Sequence, residues 1–331
     1  MSRPRVYTIA SGSPFLPTLA DALLTGGLID DAFGHGLSDI IVYVPTRRAA
    51  QGLADALALK AGNNAILLPR IVPLGGLDYV EDRLILEHGL ETLLSDATLL
   101  PEIDPIHRRL MLTRLVLAWS KHITATLSDA SSSGIAPALH QGWRDDPQGF
   151  VVAATPQDAI DLADALGTLI DTLAIHNKGW ADLHALIPVE NDEYWRISRN
   201  FLEIAAATWP QVKSEKGVMD LAERRHRLLL REAERLRQER PDVPIIAAGS
   251  TGSMPATAAL LAAIAHLPRG AVILPALDLH LDQPSFASLL HHDGRIAKAS
   301  HPQAQLAHLL KVIGIERNDV QSLGEEDAPL L

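Results

Sequence analysis

The sequence predicts an α/β protein built around a parallel sheet. Short, continuous apolar runs are typical of strands that helices cover on both faces, and helical segments alternate with them as in right-handed βαβ units. These runs occupy residues 5–10, 40–44, 65–68, 243–248 and 271–274. Between them lies a long block of helical periodicity. We therefore predict a discontinuous sheet domain, residues 1–74 and 241–331, interrupted by an all-helical insertion of residues 75–240.

Composition restricts the class of protein. The chain has 331 residues, of which 47% are apolar and 21% charged, as expected for packed globular domains. The absence of Cys excludes a disulfide framework and any thiolate metal or iron–sulfur site in this chain, and it fits a reducing compartment. No secretory signal or membrane-length apolar run is evident, so we expect a soluble, cytoplasmic protein. A net charge of −11 argues against a general polyanion binder and limits nucleic-acid contact to a local basic patch.

The first strand is followed by a small-residue turn and a helix, which is the opening unit of nucleotide-binding domains. The turn is Ser11-Gly12-Ser13-Pro14. A Walker A loop needs several glycines, a Lys and a Ser or Thr for Mg²⁺, whereas this turn has one Gly and no Gly-Lys dipeptide occurs in the chain. Ser11, Gly12 and Ser13 are either a residual anion cradle or a plain βα turn with a Ser cap, and the missing Lys favours the plain turn.

The second strand leads into a predicted helix at residues 47–60, whose apolar stripe is typical of a helix on a sheet. Thr46, Arg47 and Arg48 lie at its start, beyond the carboxyl end of the strand. A hydroxyl, two guanidinium groups and helix N–H groups are well suited to a phosphate backbone. The alternative is that both arginines are exposed and pair with acids such as Asp39.

Helix starts recur through the central block. Capping residues precede Pro or an acidic turn at Asp104-Pro105, Thr155-Pro156 and Asn191-Asp192, and residues 128–134 form a predicted polar loop. The Arg-rich helix at residues 219–239 carries Glu residues at three- and four-residue offsets, which favours an intrahelical salt-bridge lattice over a basic face.

The fourth apolar run ends at Gly249-Ser250, where an ATPase would place the Walker B acids that hold Mg²⁺. With neither residue acidic, a second ATPase feature is missing. Ser250 and Thr251 could instead cradle a phosphate of a DNA backbone, although a tight βα loop also explains the glycines. We expect Gly12 and Gly249 to lie side by side at the carboxyl rim of the sheet.

Other chemistry is weakly supported. A metal site built from clustered His and Asp residues is possible on composition alone, but the spacing follows no established ligand pattern, so a solvated loop is favoured and no metal is predicted. The cluster comprises Asp278, His280, Asp282, His291, His292 and Asp293. A small-molecule α/β enzyme would require a convergent acid/base set, which the sequence does not supply, and no Gly-x-Ser-x-Gly elbow occurs. Aromatic residues, at 4%, are too few for a large base-stacking platform.

Four segments together resemble a known family. They are Val44-Pro-Thr-Arg-Arg-Ala-Ala50, Leu68-Pro-Arg-Ile-Val-Pro-Leu74, Ala248-Gly-Ser-Thr-Gly-Ser-Met-Pro-Ala-Thr-Ala258 and His301-Pro-Gln303. The chain resembles the N-terminal region of AddB of the alphaproteobacterial type, the B subunit of the AddAB helicase–nuclease of double-strand break repair. The resemblance implies a RecA-like domain of the superfamily 1 helicase type that carries a helical insertion, with the motor function held by the partner AddA.

The resemblance also implies a function. The family's B subunit scans single-stranded DNA for the Chi sequence, and in such helicases the segment matching Thr46, Arg47 and Arg48 contacts the strand. Some members keep a phosphate loop, which this sequence does not. Family members are longer, with a nuclease domain and an iron–sulfur cluster on Cys residues, so we expect a fragment without enzymatic activity that binds neither ATP nor Mg²⁺. The alternative is an architectural module that docks AddA and touches no DNA.

Overall fold

The computed structural model describes residues 3–26, 28, 36–62, 64–74, 99–132, 155–186 and 193–324. Two compact units divide the chain. A sheet unit combines Met1–Asp96 with Arg225–Leu331, and a helical unit comprises Ala97–Arg224.

Six parallel strands form the sheet of the sheet unit, and their order is β3-β2-β4-β5-β1-β6. The strands are β1 (Val6–Ile9), β2 (Ile41–Val44), β3 (Arg70–Pro73), β4 (Ile245–Ala248), β5 (Gly270–Pro275) and β6 (Gln321–Ser322). The chain therefore leaves β1 on one side of the sheet and enters β2 on the other, with β4 and β5 filling the space between them. The predicted α/β class with a parallel sheet is confirmed.

Helices cover both faces of this sheet, which explains why its strands are continuously apolar. On β4, Ile246 and Ala248 pack with α1 (Phe15–Leu24) and α2 (Arg47–Ala61). Ile245 and Ala247 point to the opposite face, because side chains alternate along a strand. That face is covered by α7 (Leu221–Glu239), α8 (Pro255–Ala265) and α10 (Ala304–Ile313).

The predicted strand at residues 65–68 is wrong. Leu67 and Leu68 are 76% and 43% exposed and lie outside regular structure, and the strand begins two residues later. Hydrogen bonding explains the shift, because pairing with the neighbouring strand starts where Arg70 N–H donates to the Ile40 carbonyl at 2.9 Å. An apolar run gives no information about which residues meet a partner strand.

Among the described residues of the helical unit, the regular secondary structure is helical, apart from one isolated bridge between Glu102 and Met219. The helices are α3 (Pro105–Ser132), α4 (Pro156–Ile175), α5 (Trp180–Leu186) and α6 (Glu193–Lys216), followed by the first residues of α7. α4 starts as predicted, with a capping box in which Thr155 and Asp158 bond each other's backbone N–H. The polar loop predicted at 128–134 is wrong for residues 128–132, since α3 continues to Ser132, and its last two residues lie outside the described part of the chain.

The core of the helical unit contains aromatic rings and a buried carboxylate. Trp119 and Phe201 pack with their ring centroids 4.4 Å apart. The fully buried Asp220 accepts hydrogen bonds from Arg108 Nε at 2.8 Å and Trp209 Nε1 at 3.0 Å, and pairs with Lys213 at 2.8 Å. A buried carboxylate is tolerated only with such partners, so this cluster fixes α3, α6 and the start of α7 to one another.

The Arg-rich helix α7 contributes residues to both units. The predicted boundary at residue 240 would instead place the whole helix in the insertion. Its residues after Arg224 fall in the sheet unit, where Leu229, Ala233 and Leu236 pack in the core of one sheet face. The buried Glu232 accepts from Tyr43 of β2 at 3.0 Å and from Arg235 Nε at 2.8 Å. Burial and the nearby Glu232 raise the pKa of Tyr43 well above its ordinary value. The salt-bridge lattice that the sequence favoured is present, with Arg235–Glu239 and Arg237–Glu234 pairs.

Candidate nucleic-acid interface

The residues singled out in the sequence lie at one edge of the sheet. In a parallel sheet the carboxyl ends of all strands meet at the same edge, which is where ligands bind in open α/β sheets. Thr46, Arg47 and Arg48 follow β2, while Ser250 and Thr251 follow β4, its hydrogen-bonded neighbour. The two predicted DNA-binding segments are therefore adjacent.

Gly249 is the point where three loops meet at this edge. Its φ of +80° is the left-handed conformation that favours glycine, and a Cβ there would lie 3.3 Å from Phe15 and 3.6 Å from Pro45. Phe15 opens α1 and Pro45 precedes the Thr46 segment. The expectation that Gly12 and Gly249 lie side by side is wrong, because β5 separates β4 from β1. The first residue of α1, rather than Gly12, contacts the Gly249 turn.

Thr46 is the N-cap of α2, and its Oγ1 accepts a hydrogen bond from Ala49 N–H at 3.1 Å. Arg47 and Arg48 occupy the first turn of that helix and are both exposed. Cations in the first turn oppose the helix dipole, which favours negative charge there. Arg48 makes no ion pair with any residue that the structure describes. Exposed guanidinium groups therefore lie at the N-terminus of a helix, a combination that suits a phosphate.

The turn after β4 is tightly packed. Gly252 has a φ of +63°, and a Cβ there would lie 2.8 Å from Leu309 of α10. Ser250 Oγ accepts from Gly252 N–H at 3.3 Å, which stabilises the turn locally. Packing against α10 therefore accounts for this glycine without a ligand. The hydroxyl-bearing residues Ser250 and Thr251 remain partly accessible at the sheet edge.

The connection between β1 and α1 is short and folds on itself. Only residues 10–14 join the two elements, and Ser13 N–H donates to the Ala10 carbonyl at 3.1 Å. A Walker A loop, Gly-x-x-x-x-Gly-Lys-Ser/Thr, needs a longer path to surround a phosphate. The expected Ser cap is wrong, because Pro14 is the N-cap of α1 and no side chain caps the helix. Ser11 and Gly12 are exposed at this turn.

A fourth loop, after β5, was not identified as part of this edge from the sequence. Ala276 has a φ of +51°, unusual for a residue with a Cβ. The Gln303 side chain holds this backbone from both sides, donating to the Ala276 carbonyl at 2.9 Å and accepting from Asp278 N–H at 3.0 Å. Thr8 Oγ1 accepts from Leu277 N–H at 3.0 Å. His301-Pro-Gln303 is one of the segments that carry the family resemblance, but the sequence alone gave Gln303 no partner.

The three Asp residues considered for a metal form local hydrogen bonds. Asp278 accepts from the N–H groups of His280 and Leu281, both at 2.8 Å. Asp282 is the N-cap of the short helix α9 (Gln283–Ala287), and its hydrogen bonds with Ser285 lower the pKa of its carboxyl. Bonds from Arg295 likewise lower the pKa of Asp293. Among the described residues, no three His, Cys, Asp or Glu side chains are grouped to hold a metal ion.

The fold and this edge define the sheet unit as a doubly wound α/β protein whose strand-end loops converge. Comparison with known proteins assigns the chain to no family. No protein-family description matches the chain, and no curated protein shows significant similarity to it. Within the described ranges, none of the helices combines the length and apolar character needed to cross a bilayer.

Proposed function

We propose that this chain is the amino-terminal, helicase-like part of an AddB-type subunit, and that it binds single-stranded DNA in a cytoplasmic double-strand break repair complex without hydrolysing ATP. The observation that carries the proposal is the placement of Arg47 and Arg48 in the first turn of α2, beside the Gly249 turn. Backbone binding is where guanidinium groups, hydroxyls and helix N-termini most often act together.

The strand arrangement supports a RecA-like origin. The strand that would carry a phosphate loop, β1, and the strand that would carry the magnesium ligands, β4, flank the same central strand β5. At the end of β1 the sequence lacks the Walker A Lys, and at the end of β4 it has Gly249-Ser250 in place of acids. A nucleotide would therefore lack its usual phosphate and metal contacts at both strand ends.

A salt titration with a fluorescein-labelled oligothymidylate tests this function. Binding should weaken steeply as salt rises, and Arg47→Ala with Arg48→Ala should reduce the slope of log K against log salt by about 1.4, or about 0.7 for each phosphate contact of a single strand. Arg237→Ala with Arg240→Ala is the matched control, because it removes the same charge elsewhere on the sheet unit. Equal weakening by both pairs would mean that only net charge matters.

Nucleotide binding is tested separately. Addition of Mg-ATP should leave the thermal unfolding midpoint of the chain unchanged, since a tightly bound ligand raises apparent stability by mass action. A clear increase in the midpoint would contradict the proposal that the nucleotide site is lost.

A second candidate is an architectural module that docks the AddA motor subunit and makes no direct DNA contact. The net charge of −11 favours it, because an acidic surface repels a polyanion. Absence of oligothymidylate binding at the lowest salt, together with stable association with an AddA-type motor, would support this candidate over the first.

A further inference from the structure

α3 of the helical unit carries two faces of different chemistry. Leu112, Val116 and Trp119 are buried in the core of the unit, and Arg108 points inward to Asp220 and Asp171. The opposite side holds a row of exposed residues separated by four or seven positions, which on an α-helix lie above one another. This outer stripe consists of Ile106, Leu110, Arg114 and Lys121.

The outer stripe is unusually apolar for a solvated surface. Ile106 and Leu110 are 71% and 59% exposed. Together with Leu100, they are the large hydrophobic side chains that stand exposed among the described residues of the helical unit. Single exposed leucines are ordinary, but neighbouring ones on one helix face form a patch of the kind that marks protein contacts.

The stripe is also purely basic in its charged positions. The sequence from Pro105 to Lys121 contains four Lys and Arg residues and no Asp or Glu. Arg114 and Lys121 are exposed, and neither forms an ion pair with a residue in the described ranges. On a chain with a net charge of −11, an unneutralised basic and apolar row is a local exception.

The acidic helix next to α3 does not neutralise this stripe. α4 presents Asp164, but that carboxylate pairs with Arg109 at 2.5 Å, and Asp171 pairs with Arg108 at 2.8 Å. Both arginines lie outside the outer stripe. These two carboxylates of α4 are thus engaged on the flank and core side of α3. No carboxylate within the described ranges pairs with Arg114 or Lys121.

We propose that the outer stripe of α3 docks an acidic amphipathic helix of a partner protein. Apolar residues of that helix would cover Ile106 and Leu110, and flanking carboxylates would pair with Arg114 and Lys121. This is helix-on-helix recognition, in which apolar positions supply affinity and flanking charges select the partner. The proposal does not rest on DNA binding, because the predicted DNA-binding residues belong to the sheet unit.

Two fluorescent helical peptides with the same leucine stripe test the proposal on the full chain. One carries Glu at the flanking positions and the other carries Lys. The Glu peptide should bind saturably, and the Lys peptide should bind about tenfold more weakly, since charge complementarity selects the partner. In the variant Arg114→Glu with Lys121→Glu this preference should reverse. Hydrogen exchange should show protection at residues 105–121 when the Glu peptide binds.

The apolar contribution is tested with Ile106→Ser and Leu110→Ser, which should weaken binding of the Glu peptide about tenfold or more. The stability of the chain should not fall, because both side chains are exposed. Failure of the Glu peptide to saturate, or equal binding of both peptides to the wild-type chain, would overturn the proposal. Concentration-dependent self-association abolished by the serine variants would assign the stripe to a second copy instead. Loss of oligothymidylate binding in the charge-reversed variant would assign it to nucleic acid.

Discussion

Arginines lie at both edges of the parallel sheet, but their surroundings differ between the two edges. At the amino edge, Arg5 donates to the Pro268 carbonyl, Arg240 Nη2 donates to the His266 carbonyl at 3.4 Å, and Arg269 Nη1 donates to the Asp242 carbonyl at 3.2 Å. At the carboxyl edge, Arg47 and Arg48 stand in the first turn of α2 and are exposed.

The direction of the helices explains this difference. Helices that return from the sheet end at its amino edge, where their last carbonyls lack intrahelical partners. The His266 carbonyl belongs to the C-cap of α8, and Pro268 and Asp242 lie in the loops that follow the helices. The opposite edge presents helix N-termini, where a cation opposes the dipole. The same residue type therefore stabilises the fold at one edge and is unfavourable at the other. A cation kept in an unfavourable place is a better candidate for binding than one that caps a helix.

The largest expected loss of stability comes from adding a side chain at the amino edge, where the packing is tighter than at the carboxyl edge. Gly270 lies at the amino edge, and a Cβ there would sit 1.7 Å from the Ile264 carbonyl oxygen. Gly270→Ala should cost about 3 kcal/mol or more, because the obstacle is backbone. Gly249→Ala at the carboxyl edge should cost about 1–2 kcal/mol for its left-handed backbone. Urea unfolding measures both, and a larger loss at Gly249 would contradict the view that the amino edge is the more tightly packed.

At the carboxyl edge, the Thr46 hydroxyl is expected to stabilise α2 as its N-cap. Thr46→Ala removes the hydrogen bond to Ala49 N–H and should lower the free energy of unfolding by about 1 kcal/mol. Thr46→Ser keeps the hydroxyl and should retain most of that stability. If both variants unfold at the same urea concentration, the Thr46 hydroxyl does not cap the helix in solution.

The arginines of the two edges should respond to removal with opposite signs. Arg48→Ala should leave the stability unchanged or raise it by up to about 0.5 kcal/mol, because it relieves repulsion from the helix dipole. Arg240→Ala should lower stability by about 0.5 kcal/mol through loss of its bond to the His266 carbonyl. Chemical unfolding at low salt measures both changes. A loss of stability on removal of arginine at both edges would contradict the view that arginine is unfavourable at the carboxyl edge.

The smallest effect is a pH dependence at the amino edge. Asp319 accepts from Glu316 N–H at 3.1 Å and pairs with Arg3, and these interactions lower the pKa of its carboxyl from its ordinary value. A lowered pKa in the folded state contributes stability above the ordinary pKa, and this contribution is lost as pH falls through the folded value. Carboxyl NMR titration of wild type and Arg3→Ala should show a higher Asp319 pKa in the variant. An unchanged pKa would mean that the backbone bond alone sets it.

Local chemistry made part of the structure predictable. Thr46 and Thr155 were recognisable as helix starts, since a cap depends on residues within one turn. The continuous apolar runs at β2, β4 and β5 predicted a sheet covered on both faces, and the structure has one. The run at 65–68 failed because its neighbours in space, rather than its composition, decide where pairing begins.

The sequence by itself determined which residue types stand at each strand end, and therefore that Thr46, Arg47, Arg48, Ser250 and Thr251 each follow a strand of an α/β fold. Only the tertiary structure decided that β5 separates β1 from β4, that Gln303 holds the Ala276 backbone, and that Asp220 gathers Arg108, Trp209 and Lys213. Strand order and buried polar partners join residues far apart in the chain. Such long-range pairings depend on how whole faces pack, which a local pattern does not encode.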